Sequence, residues 1–133
     1  LFKVHQYQTL EAYNGDEALE VLEKHPDTKL VLTDYFMPQM DGLQLIQKIR
    51  KKHSRDDMAV IGMSAKAEQI IGARFIKNGA NDFFVKGAVT TEEFYSRIAQ
   101  HVEHLGRCVH RGCLRNGVVA AGRAAHRPPR PRR

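Results

Sequence analysis

Residues 30–43 read LVLTDYFMPQMDGL. Leu30, Val31 and Leu32 form a short apolar run, bounded by polar residues and ending at Asp34, the pattern of a strand buried on both faces of a sheet. Pro38 stops the strand and Asp41-Gly42 opens a helical pattern, so the stretch predicts a carboxylate at a strand-to-helix turn. In parallel α/β sheets that edge is where ligands bind. A single Asp at a strand end is by itself more often a helix cap or turn residue, and the rest of the chain must decide between the two.

Downstream, Leu43, Leu45, Ile46 and Ile49 make the buried stripe of a helix. Arg50-Lys51-Lys52-His53 closes it, a basic run read as a solvated end that compensates the helix dipole. Residues 58–63 are the next apolar run, ending at Ser64-Ala65. Ala67, Ile71 and Phe75 are spaced by four for another helix, which Asn78-Gly79 terminates. Phe83, Phe84 and Val85 form a further buried strand ending at Lys86-Gly87. Thr90 and Glu93 then make a capping box for a last helix with Phe94, Ile98, Val102 and Leu105 as its stripe. Upstream, residues 8–12 alternate as a strand, Asn14-Gly15 turns the chain, and Asp16 and Glu17 suit a helix's first turn. Ala18, Leu19, Val21 and Leu22 line that helix until His25-Pro26 ends it. Strands alternating with helices in this way predict an α/β fold with a doubly wound parallel sheet.

The chain has 133 residues, 42% of them hydrophobic, enough for one domain with a real core. No apolar run approaches membrane-spanning length and no charged-then-apolar leader precedes the body, so the expectation is a soluble, cytoplasmic protein. Cys108 and Cys113 lie outside the patterned region and imply no disulfide framework. The net charge of +6 is unevenly placed: residues 107–133 hold eight arginines, no lysine and no acid, leaving residues 1–106 with 13 basic and 15 acidic side chains. The body over residues 1–105 is therefore not basic, and residues 106–133 form an Arg/Pro/Gly/Ala-rich tail expected to be disordered. Within it, residues 118–121 could pair as a strand but are few and flanked by glycines. The abrupt change in residue usage also resembles a shifted reading frame or a fusion scar.

Asp34, Ser64 and Lys86 each fall at the carboxyl end of a different predicted strand, and neighbouring strands would bring them to one crevice. Such a trio suits phosphoryl transfer to a carboxylate: Asp34 attacks phosphorus, Lys86 pairs with the phosphoryl oxygens and the Ser64 hydroxyl hydrogen-bonds another. A divalent cation normally accompanies this chemistry, because an anionic nucleophile must approach an anionic phosphoryl group. Singly, Ser64 reads as a helix cap and Lys86 as a surface lysine. Three strand ends giving Asp, Ser and Lys in that order are harder to explain that way.

LVLTDYFMPQMDGL, VIGMSA, NGANDFFVK and their spacing resemble the receiver domain of two-component response regulators, over roughly residues 4–105. The resemblance implies a flavodoxin-like fold with Asp34 as phosphoacceptor, Ser64 as switch hydroxyl, Lys86 as phosphate-sensing lysine and Phe83 as aromatic switch. It also implies Mg²⁺ as cofactor, held by Asp34 and the backbone carbonyl of Phe36, and a sensor histidine kinase as partner. ARFIKNGANDFFVK followed by EEFYSRIAQHVE is further similar to receivers of regulators with diguanylate cyclase outputs.

The chain departs from that family in three ways. The family's first strand, with its adjacent metal-binding acids, and most of its first helix have no counterpart at the start of this sequence, and Asp16 and Glu17 match the next helix instead. With Asp34 as the one carboxylate, Mg²⁺ is expected to bind weakly. Loss of that middle strand is expected to leave two rows of backbone groups unpaired and the fold poorly stable, a gap that dimerisation or strand exchange could fill. Gly87 also stands where the family usually has proline.

Other readings compete with the receiver. A phosphate-independent docking module, or a non-functional fragment, would keep the fold without the chemistry. A haloacid-dehalogenase-type hydrolase needs an acid where Phe36 stands, so no turnover is expected beyond self-phosphorylation and autodephosphorylation at Asp34. The arginine tail would give only salt-sensitive, sequence-blind nucleic-acid affinity. Cys108, His110 and Cys113 match no standard zinc spacing.

Overall fold

A computed structural model describes residues 8–65, 69–105 and 117–122. The elements run β1 (Gln8–Ala12), α1 (Gly15–Lys24), β2 (Leu30–Asp34), α2 (Gly42–Arg50), β3 (Ala59–Ser64), α3 (Gln69–Lys77), β4 (Asp82–Val85), α4 (Thr91–His104) and β5 (Gly117–Ala121). They build one five-stranded sheet in the order β1-β5-β2-β3-β4, with every pairing parallel. The doubly wound parallel fold expected from the alternation of apolar runs is the fold observed.

The helices start close to where the sequence places them, with the expected Thr90–Glu93 capping box present in its Thr90 half. Asn14 caps α1, its side chain accepting from the Glu17 amide at 2.8 Å, and Thr90 caps α4 through the Glu93 amide at 3.1 Å. Asp41 and Gln44 close a full capping box on α2, each side chain accepting the other's backbone N–H at 2.9 and 3.0 Å. Ala67, expected on α3, lies outside the described residues.

Alternation along the strands divides the core into two layers. Val31, Val60, Val119 and Ala121 face α1, α2 and α3 through Leu22, Ile46, Ile49 and Phe75. Leu30, Leu32, Ile61, Val118 and Ala120 face Ile98 and Val102 of α4. β2 is buried along its whole length, as a strand covered on both faces must be.

The main correction concerns the tail. Disorder was the expectation for residues 106–133, yet Gly117–Ala121 form β5 and occupy an interior place in the sheet, between β1 and β2. Leu10 pairs with Val119 on one side and Val31 pairs with Val119 on the other, so the two rows of backbone groups expected to lack partners are satisfied by the last strand in sequence. The physical reason is burial: Val118, Val119, Ala120 and Ala121 are all 2% exposed or less, and a slot apolar on both faces selects an uncharged run of this length. The remainder of the tail, with Cys108, His110 and Cys113, lies outside the described residues. No helix among the described residues is long and apolar enough to cross a membrane.

A second correction concerns Arg50. It is not a solvated helix end but a half-buried clamp, donating to the carbonyls of Gly79, His53, Ser54 and Met58 and to Asn81 Oδ1. Burial first, and the neighbouring Arg55 second, push its guanidinium down to about 10.

Candidate functional site

Asp34 ends β2 and is 3% exposed, and Ser64 ends β3 and is 2% exposed. Lys86 follows directly on β4. The ladder carries these exits forward together. Asp34 pairs with Met63, and Ser64 with Val85. Two further bonds continue past the strand ends, Tyr35 N–H to the Met63 carbonyl at 3.0 Å and Lys86 N–H to the Ser64 carbonyl at 2.8 Å. The three residues read from the sequence thus come to one edge of the sheet, where Lys86 Nζ lies 2.7 Å from Asp34 Oδ1.

The loop after Asp34 is pinned from below by α2. Gly42 N–H donates to the Tyr35 carbonyl at 2.8 Å. A Cβ on Gly42 would stand 2.4 Å from the Asp34 carbonyl oxygen and 2.8 Å from Phe75 Cζ, so only glycine lets the helix approach the strand this closely. The Thr33 hydroxyl also donates to the Asp34 carbonyl at 3.0 Å. The backbone presenting the carboxylate is held from the strand and from the helix at once.

Phe83 lies on the α3 side of β4, its ring 5.2 Å from that of Phe75 and against Gly72. It is half-buried. Phe36, two residues after Asp34, keeps a side chain 56% exposed and leans its ring edge-on to Tyr35 at 4.8 Å.

The residues present do not fit a firmly held divalent cation. β5 leaves the sheet beside Asp34, and its exit residues are Ala121 and Gly122. A Cβ on Gly122 would lie 3.4 Å from Asp34 Cβ. That wall of the site offers no carboxylate. Asp41 is engaged as the cap of α2, and among the described residues no group of three or more His, Cys, Asp or Glu side chains could hold a metal. One carboxylate already paired with an ammonium falls short of what a hard cation such as Mg²⁺ takes.

One polar cluster was missed from the sequence. Asp82, at the start of β4, accepts from Arg97 and lies 3.0 Å from His101 Nε2, fastening α4 to the sheet. Arg97 also covers the Phe84 ring at 4.3 Å. Burial raises the Asp82 carboxyl, but hydrogen bonds from His101 and the Phe83 amide, together with Arg97, outweigh it and hold the group below its ordinary 3.8. The available signal was the i, i+4 spacing of Arg97 and His101 on one helix face.

Comparison with known proteins places this edge in context. The family model described as response regulator receiver domain matches residues 1–99. The chemotaxis protein CheY homolog of Campylobacter jejuni is 36% identical over 77 residues, covering 58% of this chain and 59% of that protein. A two-component response regulator of Oryza sativa is 31% identical over 86 residues, covering 65% of this chain and 41% of its own length. The chain therefore spans roughly half the length of these curated relatives. Among solved structures, a two-component system response regulator/GGDEF domain protein is 40% identical with a TM-score of 0.63, covering 68% of this chain and 37% of that one. The NtrX receiver domain of Brucella abortus, 23% identical over 77% of this chain and 83% of that one, has a TM-score of 0.69 and supports the fold alone. With its sheet order, its Asp34-Lys86 edge and a family match over most of its length, the chain belongs to the response regulator receiver domain family.

Proposed function

We propose that this chain is a phosphoacceptor module that takes a phosphoryl group from a sensor histidine kinase onto Asp34. The observation that carries the reading is the 2.7 Å contact of Lys86 Nζ with Asp34 Oδ1 at a buried strand edge. An Asp34 oxygen attacks phosphorus, the phosphohistidine N–P bond breaks, and its electron pair returns to the imidazole, which takes up a proton. The product is an acyl phosphate. Lys86 follows the charge from the carboxylate to the phosphoryl oxygens, and Ser64, buried at the exit of the intervening strand, supplies a hydroxyl to another of them. Phe83 sits on the strand that carries Lys86, so a shift of that strand end is passed to its packing on Phe75 and α3. The module works in the cytoplasm as a signalling part and turns over no substrate of its own.

The test is intact mass after incubation with a small acyl-phosphate donor, with and without Mg²⁺, beside Asp34→Asn. A phosphoryl-sized gain confined to the unmodified chain is expected, and no gain in either would refute the reading. A second reading, a phosphate-independent docking module, is favoured by one observation, the carboxylate-free exit of β5 at Ala121 and Gly122. Partner binding indifferent to Asp34→Asn is its mark.

A further inference from the structure

β5 is the last of the described strands in sequence and second from one edge in space. β1 has no ladder partner among the described strands except β5, and β1 and β2 do not pair with each other. The body over residues 8–105 therefore folds around a slot one strand wide, lined by Ala12, Leu22 and Val31 on one face and Leu30, Ile98 and Val102 on the other. We infer that this slot is a strand-acceptor site, and that its ligand is the chain's own segment 117–122, inserted in parallel as a separable unit.

The chemistry of the ligand is set by the slot. Both faces are apolar, so the segment must be uncharged throughout, and residues 117–122 read GVVAAG between Asn116 and Arg123. Its register is set at the far end. Gly122 has φ +70°, and a Cβ there would stand 2.5 Å from Met37 Cγ. A strand shifted along the slot would bring a side chain against Met37 and the loop that presents Asp34. The ligand is thus an apolar β-strand of four residues followed by glycine.

The number of connecting residues is enough for attachment in cis. Eleven residues, 106–116, join Leu105 to Gly117. At about 3.3–3.6 Å each they span up to ~40 Å, against a radius of gyration of about 13 Å for a domain of this size. A link of that reach lets the segment enter after the body has collapsed. It also holds the strand at high effective concentration, which is why the occupant is this molecule's own segment rather than that of a second copy.

The inference holds whether or not Asp34 accepts phosphate, and its test reads strand occupancy alone. A specific protease site is placed between Arg111 and Gly112 of the full chain and cut. The two pieces are expected to stay bound one to one by native mass spectrometry, with slow amide exchange retained at Leu10 and Val31. Excess synthetic peptide of residues 114–124 is expected to displace the C-terminal piece. The same peptide carrying Val119→Pro, which cannot sit in a central strand, should not, and one carrying Gly122→Val should compete about tenfold more weakly. If cutting releases the piece and protection is lost, restoration by the unmodified peptide supports the site equally. Three results overturn it: loss of the piece with protection unchanged, loss of protection that the peptide does not restore, or recovery of the pieces only as two-plus-two complexes.

Discussion

Lys86 meets Asp34 at 2.7 Å although β4 and β2 are separated by β3. Adjacent strands lie about 4.8 Å apart, so the lysine stem spans nearly two strand spacings to reach the carboxylate. The Asp34 side chain is 5% exposed and that of Lys86 30%. Removing the lysine takes from the buried carboxylate its ammonium partner, which costs about 3–5 kcal/mol for a fully buried pair and, with one partner partly solvated, about 1–3 kcal/mol here. Asp34→Asn removes the buried charge itself, and Lys86 can turn to water. Urea denaturation should therefore find Lys86→Ala the more damaging of the two. Equal losses would mean the pair contributes little.

Asp82 gives the acid side of the stability profile. Its carboxyl is held below 3.8 in the folded chain, so the folded state binds this proton less readily than the unfolded one. The stabilisation is fully present above the unfolded value and is lost as pH falls through 3.8 toward the lower folded value. Asp82→Asn should flatten the fall in stability below about pH 4, measured as the denaturation midpoint at successive pH values. An unchanged slope would show that the Arg97 and His101 contacts leave the carboxyl unperturbed.

Arg50 joins the end of α2 to residues 29 and 31 positions further along the chain, Gly79 and Asn81. Its partners are four carbonyls and one amide oxygen, so the guanidinium is satisfied without an opposing charge. Truncation to Ala would leave several of these acceptors without their donor, at about 1–3 kcal/mol for each one that stays buried. We expect Arg50→Ala to lower stability by about 2–4 kcal/mol. Lysine, which lacks the planar fork, should recover less than half of that, and full recovery by Arg50→Lys would show that charge alone matters.

What could be read from the sequence, and what could not, follows from the range of the forces involved. Asp34, Ser64 and Lys86 were legible because each ends an apolar run, and a parallel sheet brings such ends together without further information. Asp41 and Thr90 were legible as helix starts because capping acts over three residues, whereas Asn14 was read as a turn and is the cap of α1. The role of Arg50 was not, since its burial depends on Gly79 and Asn81 folding over it. Nor was β5: the residues Val118 to Ala121 carry the same weak signal in a tail as in a core, and only the slot between β1 and β2 turns them into a strand.

Gly42 allows the helix that follows Asp34 to press against the strand, and the contact is with backbone rather than a yielding side chain. Gly42→Ala must separate α2 from β2 or displace Phe75. Overpacking of this kind costs about 1–3 kcal/mol, and here it also moves the carboxylate. The variant should lose acyl-phosphate labelling more than its loss of stability explains, measured by initial labelling rate under conditions where it remains folded. A rate equal to that of the unmodified chain would separate Asp34 geometry from the α2 contact.

The exit of β5 bears on what a divalent cation can do at this edge. A ligand that binds only the folded state stabilises it by RT ln(1 + [L]/Kd). With Asp34 as the one carboxylate that the described residues bring to this edge, already paired with Lys86, and with Ala121 and Gly122 closing the adjacent wall, a Kd above about 10 mM is expected. Addition of about 10 mM Mg²⁺ should then raise stability by no more than about 0.4 kcal/mol. The same addition should leave the initial rate of acyl-phosphate labelling nearly unchanged. Saturation at sub-millimolar Mg²⁺ in either measurement would show that residues outside the described chain complete the site. The Asp34 edge would then be a metal centre after all, rather than one in which Lys86 supplies the positive charge.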